Sequence, residues 1–152
     1  MTVTIRLVTH LPTSPDRAFA LSLDIGAHLR SMAATGEQAV AGTTSGSIGL
    51  GESVTWRARH LGVVWRMTSR VTELEAPHRF VDEQVRGPFA RFRHEHTFTA
   101  VPDGTRMVDE IVFRAPFGVL GRIAESLVLR RHLRRLIAER NRSLAAEAAA
   151  AP

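Results

Sequence analysis

Cysteine, lysine and tyrosine are all missing from this chain of 152 residues. Without cysteine there are no disulfides, no thiolate metal ligands and no thiol nucleophile. Without lysine there is no Schiff-base chemistry and no amine to act as general base; every one of the 20 cationic side chains is arginine. Without tyrosine no phenol can serve as acid or oxyanion donor. No apolar run approaches the roughly 20 residues of a membrane span. Arg6 interrupts the opening apolar run, a pattern unlike a signal peptide or a transit helix. The expectation is a soluble, cytoplasmic protein, a monomer or homodimer. The chemistry left rests on His, Asp, Glu, Ser, Thr, Arg, Gln and Trp. The formal charge is +5, but the arginines are spread widely and carry no aromatic interleaving, so no nucleic-acid partner is inferred. No cofactor and no metal is expected. The length suits one domain with a substantial core, residues 1–146, followed by an Ala-rich end expected to fray over 147–152.

What is present is organised around Phe92 to Arg114. Phe92, His94, His96 and Phe98 share one face of a strand at period two. After Pro102-Asp103-Gly104-Thr105, a turn sequence, Met107, Asp109, Ile111 and Phe113 share a face of the next strand. A turn pairing Val101 with Arg106 would set Phe98 opposite Asp109 and leave His96 and Asp109 as diagonal neighbours. The most apolar face of the chain thus carries two imidazoles and a carboxylate. A partly polar ligand cavity needs that mixture; a dry core does not, because an unpartnered buried polar group costs about 1–3 kcal/mol.

The rest of the chain frames this hairpin. Thr2 to Leu11 alternates as a half-buried strand. Ser14-Pro15-Asp16 caps a first short helix, Pro15 to Leu23, and a second follows over Ile25 to Met32. Strand patterns then recur at Glu37–Ala41, Ser53–His60, Val63–Leu74 and around Phe80–Val85, separated by Gly- and Pro-rich turns. Gly42 to Gly51 reads as a mobile lip. A long helix is expected from Val119 to Ala146, with Leu120, Ile123, Leu127, Leu133, Ile137, Asn141 and Leu144 near one stripe and most arginines, Arg140 included, on the remaining surface. The predicted class is α+β: a curved antiparallel sheet of six to seven strands wrapped around a long C-terminal helix, with two short helices after the first strand. Such packing leaves a cavity between sheet and helix.

At this point the chain resembles the START-like helix-grip superfamily, SRPBCC, which includes the birch-pollen-allergen fold, lipid-transfer START domains and polyketide cyclase/dehydrase-like proteins. The resemblance rests on Ser14-Pro15-Asp16-Arg17-Ala18-Phe19, on Phe80-Val81-Asp82-Glu83 before Gly87-Pro88-Phe89, and on His94-Glu95-His96-Thr97-Phe98. Gly104-Thr105 with Asp109, Ala115-Pro116-Phe117-Gly118 and Arg140 complete it. It covers nearly the whole chain and implies a hydrophobic small-molecule pocket; it implies no particular ligand.

Three functional readings follow. The first is binding of a hydrophobic, partly oxygenated molecule, polyketide- or lipid-like. Trp56, Trp65, Met67, Phe80 and Phe92 would line its cavity, with Phe98, Ile111 and Phe113 beyond them. Leu120, Ile123 and Leu127 would face it from the helix, and Asp82 and Gln84 would make polar contacts. The second is a cyclase or dehydratase, of lyase or isomerase type. His96, oriented by Asp109, would move a proton beside a bound carbonyl while His94 positions the substrate. The third is a regulatory or stress-related partner-binding module, for which Trp56, Trp65 and Met67 would fill the space. A His-X-His pair on one strand face can also hold a metal, given a third ligand from Asp109 or Asp82; this ranks below the other readings. His60, at a hairpin end, is expected in solvent, and Arg130 to Arg135 as a solvated helix face.

Overall fold

The computed structural model describes residues 2–116 and 119–150, with the side chains at 119–122, 124 and 125 left aside. Phe117 and Gly118, part of the expected sheet-to-helix turn, and the Leu120 side chain lie outside the described residues. Strand β1 (Thr2–Leu11) is followed by α1 (Pro15–Leu23), α2 (Ile25–Ser31) and one 3₁₀ turn. Strands β2 (Gln38–Gly42), β3 (Ser53–His60), β4 (Val63–Glu75), β5 (Arg79–Arg86), β6 (Arg91–Val101) and β7 (Gly104–Arg114) precede the long α3 (Val119–Ala150). The strands form one antiparallel sheet in the order β1-β7-β6-β5-β4-β3-β2. This is the helix-grip α+β architecture expected. Bulges at Ala39/Ala41, Thr68/Ser69 and Val71/Glu73 interrupt the pairing and add the local bend that a wrapping sheet requires.

Local chemistry explains the short helices. The Ser14 hydroxyl accepts from Arg17 N at 3.3 Å, and Pro15 opens α1 with its φ already set. Asp24 ends α1 and caps α2, its carboxylate accepting from Ala27 N at 2.7 Å. The Gly42–Gly51 loop is stitched to that junction. Ile25 N donates to Gly46 O, Ile48 N donates to Leu23 O, and the Ile48 side chain is buried.

Two features differ from expectation in ways that decide the site. Val101 pairs with Gly104, so Pro102-Asp103 alone forms the loop and the register shifts by two residues. The turn closes more tightly because Gly104 takes φ +154° beside the β1 backbone and the Thr105 hydroxyl, fully buried, donates to Thr13 O at 2.7 Å. His96 therefore faces Asp109 directly, and His94 faces Ile111.

The helix stripe also differs. Its buried positions are Ser126, Leu129, Ile137, Arg140, Asn141, Leu144 and Ala148, while Ile123 and Leu127 are exposed. At 100° per residue, the six-residue step from Leu127 to Leu133 falls about 120° short of two turns, so those two leucines cannot share a face. Leu129 takes the place expected of Leu127. Arg140, expected on the polar surface, sits on the inner stripe. The helix runs to Ala150, where Ala148 is buried and Glu147 pairs with Arg30 of α2 at 2.5 Å.

Candidate functional site

The core divides into two clusters with a cavity between sheet and helix. One cluster gathers Phe19, Phe80, Phe98 and Met107, with Phe19 edge-on to both other rings. The other gathers Phe89, Phe92, Ile111, Phe113, Leu129 and Ile137. The cavity has a volume of about 180 Å³. Trp56, Trp65, Met67, Phe80, Phe92, Asp82, His94 and His96 line it, as does Ile48. The expected residues Phe98, Ile111 and Phe113 are buried behind that wall. Ile123 and Leu127 point to solvent rather than into the cavity. Gln84 also faces elsewhere: its amide Nε2 donates to Phe89 O at 2.8 Å, and Phe89 N donates to its Oε1 at 3.1 Å. Gln84 thus clasps the turn that carries Phe89 onto the cavity wall. His60 is only part-exposed: its Nδ1 lies 3.1 Å from His132 Nε2 of α3, and both residues line the cavity.

The polar wall is one connected network. Asp82 of β5 is the cross-strand partner of His94 on β6, and His94 and His96 stack with ring centroids 3.8 Å apart. His96 also stacks on Phe80 at 4.0 Å. His96 Nε2 lies 2.9 Å from Asp82 Oδ2, and its Nδ1 lies 3.2 Å from Asp109 Oδ1, off line for an aligned hydrogen bond but within ion-pair reach. His94 Nε2 lies 2.7 Å from the same Asp109 oxygen. Behind the rings, Arg140 Nη2 donates to Asp109 Oδ1 at 2.7 Å and Asn141 Nδ2 donates to Oδ2 at 2.8 Å. Asn141 in turn accepts from Arg140 Nε and Nη2.

These contacts set the charges. Burial would raise the Asp109 carboxyl, but the Arg140 guanidinium and the two imidazoles overcome it and hold Asp109 well below the usual carboxylate range. Burial likewise opposes ionisation of Asp82, which the bond from His96 and nearby positive charge outweigh. Burial and the neighbouring His96 charge push His94 down to about 4, against the pull of Asp109. For His96 the balance reverses: burial disfavours its charge, yet carboxylates at both ring nitrogens raise its pKa. The surroundings thus favour ionised Asp82 and Asp109 and the charged form of His96, and they hold His94 neutral. Since Nε2 of neutral His94 donates to Asp109, its Nδ1 keeps a lone pair for whatever enters the cavity.

The structure therefore brings together His94, His96 and Asp109 as anticipated, adds Asp82 from the two candidate third partners, and sets Asp109 behind the rings instead of on the cavity wall. Sequence reasoning missed the Arg140–Asn141 clamp and the His60–His132 pair. A signal for the clamp exists: Arg140 and Asn141 fall three and four residues from both Ile137 and Leu144, on one helical face. The His60–His132 contact spans 72 residues and leaves no local trace.

Among the described residues no helix is long and apolar enough to cross a membrane. Across residues 2–149 the chain matches the family described as polyketide cyclase/dehydrase and lipid transport. No curated protein matches it in sequence. Among solved structures it is similar to the Zhui aromatase/cyclase from Streptomyces sp. R1128, with TM-score 0.79 and 13% identity over 97% of this chain and 94% of that one. It is similar to TTHA0849 from Thermus thermophilus, with TM-score 0.74 and 19% identity over 95% and 99% of the two chains. Ara h 8.0201 has the same architecture, with TM-score 0.68 and 10% identity over 99% and 100%. Identities this low speak to fold alone, whereas the family match spans nearly the whole sequence. With a seven-stranded sheet gripping a C-terminal helix, the chain belongs to the polyketide cyclase/dehydrase and lipid transport family of the START-like, SRPBCC helix-grip superfamily.

Proposed function

We propose that this chain binds a small, mainly hydrophobic molecule bearing a carbonyl or hydroxyl group in the cavity between sheet and α3. The observation that carries the reading is a largely apolar cavity with polar groups set into its lining, chief among them the connected cluster of His94, His96 and Asp82, with the His28–Glu37 and His60–His132 pairs elsewhere on the wall. Size narrows the class. A cavity of about 150 Å³ in another protein holds benzene, so about 180 Å³ suits one or two rings rather than an extended acyl chain. Trp56, Trp65 and Met67 line the space without filling it, which weighs against a module that uses the fold only to bind a protein partner.

The test uses 2-naphthol as probe and the fluorescence of Trp56 and Trp65, both at the cavity and the chain's 2 tryptophans. Binding should saturate at one site, and Ala58→Phe, which places a ring in the cavity from a buried lining position, should weaken it at least tenfold with the circular dichroism unchanged. Equal binding by wild type and Ala58→Phe would sink the reading.

A second reading is favoured by the two imidazoles at the cavity, His94 held neutral by burial and His96 with its charged form favoured by the carboxylates beside it. In an aldol cyclisation or dehydration His94 would accept a proton beside the ligand carbonyl, while His96⁺ would favour the developing oxyanion. The expectation from the sequence assigns the movement of the proton to His96 and the positioning of substrate to His94; this reading gives the proton acceptor's part to His94. The Zhui structure, named as an aromatase/cyclase, lends this reading its chemistry. A linear poly-β-keto thioester is the substrate to offer. His94→Ala should slow its turnover roughly 10²–10⁴-fold. If the variant turns over at the wild-type rate, the catalytic reading fails and the binding reading stands.

A further inference from the structure

The polar wall has the arrangement of a metal site. Two imidazoles and one carboxylate, from His94, His96 and Asp82, each offer one ligand atom, and these atoms lie within 4.8 Å of one another. We propose that Asp82, His94 and His96 bind a divalent first-row transition ion, such as Zn²⁺, with open coordination positions facing the cavity.

Three features support this. First, His96 Nε2 and Asp82 Oδ2 already meet at 2.9 Å through a shared proton, and a tetrahedral ion about 2.1 Å from each would part them to roughly 3.4 Å, a side-chain shift of about 0.5 Å. Second, a metal-binding histidine almost always gives its other ring nitrogen to a carboxylate, a backbone carbonyl or water that fixes its orientation. Here Asp109 serves both rings: His94 Nε2 at 2.7 Å and His96 Nδ1 at 3.2 Å. Asp109 is itself held by Arg140 and Asn141. Third, an imidazole–carboxylate set without thiolate suits Zn²⁺, Fe²⁺ or Co²⁺, whereas Mg²⁺ and Ca²⁺ prefer oxygen alone.

Binding of the ion does not depend on the organic ligand, so the test uses the ion alone. Untagged protein, stripped with chelator, is titrated with ZnCl₂ by calorimetry, and the bound stoichiometry is checked by equilibrium dialysis with Co²⁺. One ion per chain is expected, with at least roughly 100-fold loss of affinity in Asp82→Asn and in His94→Ala, and a loss of about 10–100-fold in Asp109→Asn. His132→Ala, which removes an imidazole of the His60–His132 pair elsewhere on the cavity wall, tests that pair as the rival seat of the ion and should leave the Zn²⁺ affinity as in wild type. The Asp82 side chain is 21% exposed, against 6% and 3% for His94 and His96, so its variant tests the site even if His94→Ala fails to fold. The proposal is overturned if wild type binds no ion below millimolar concentration. It is equally overturned if folded Asp82→Asn binds as tightly as wild type, or if His132→Ala abolishes binding.

Discussion

Replacing Asp109 by Asn should lower the free energy of unfolding by about 3–5 kcal/mol, the range found when one partner of a buried ion pair is removed. Its carboxylate is 1% exposed and touches four side chains: His94, His96, Arg140 and Asn141. Asparagine has nearly the same shape, so the change probes charge rather than packing. The Arg140 guanidinium, 6% exposed, would lose its counter-ion while staying largely desolvated. His96 would keep only Asp82. The double variant Asp109→Asn/Arg140→Met should be less destabilised than the sum of the two single changes, because removing the stranded cation removes most of the penalty. Urea denaturation of the four proteins measures this. A single-variant loss below about 1 kcal/mol, or strict additivity, would mean that the pair contributes little and that apolar packing alone holds α3 against the sheet.

Acid should destabilise the metal-free protein well before the carboxylates begin to protonate. His94 is buried and neutral, its pKa pushed down from 6.5 to about 4. Below 6.5 the unfolded chain takes up a proton at this residue that the folded chain refuses. The unfolded state then binds more protons, and stability falls with pH. That contribution is fully present above 6.5 and is lost as pH drops to about 4, a change on the order of 3 kcal/mol. His60 and His132, also depressed by burial first, act in the same direction. Below that window Asp82 and Asp109, both lowered, extend the loss as they protonate. His96 has the opposite sign: its raised pKa gives stability that is complete below 6.5 and disappears as pH rises through the folded value. Stability should therefore peak near neutrality. Urea midpoints at about pH 7.5, 6, 5 and 4 measure the slope, and His94→Gln isolates the residue responsible. Should that variant lose stability between pH 6.5 and 4 as steeply as wild type, His94 is not a buried neutral group.

The strands and the short helices were readable because their signals are local. Alternation in Phe92-Arg93-His94-Glu95-His96 reports which side chains face inward, and a two-residue slip in the hairpin leaves that parity intact. For the same reason parity could not tell whether His96 faced Asp109 or Ile111; that depended on how tightly Gly104 and Thr105 turned against β1. Helix α3 was legible as a helix, but its inner face was misjudged where leucines are plentiful. Leu127 and Leu129 are equally apolar, and only packing against the sheet chooses between them.

Strand faces, capped helices and the presence of imidazole and carboxylate on the innermost hairpin all follow from period, cap or turn chemistry within a few residues, so the chain alone was enough to place them. It took the folded molecule to join Asp82, His94, His96, Asp109, Arg140 and Asn141 into one connected network. Its members come from β5, β6, β7 and α3, and the shifts at Asp82, His94, His96 and Asp109 are set by burial and by neighbours on other elements, as where Arg140 of α3 acts on Asp82 of β5. Electrostatics of that kind depends on distance in space, to which spacing along the sequence gives no guide.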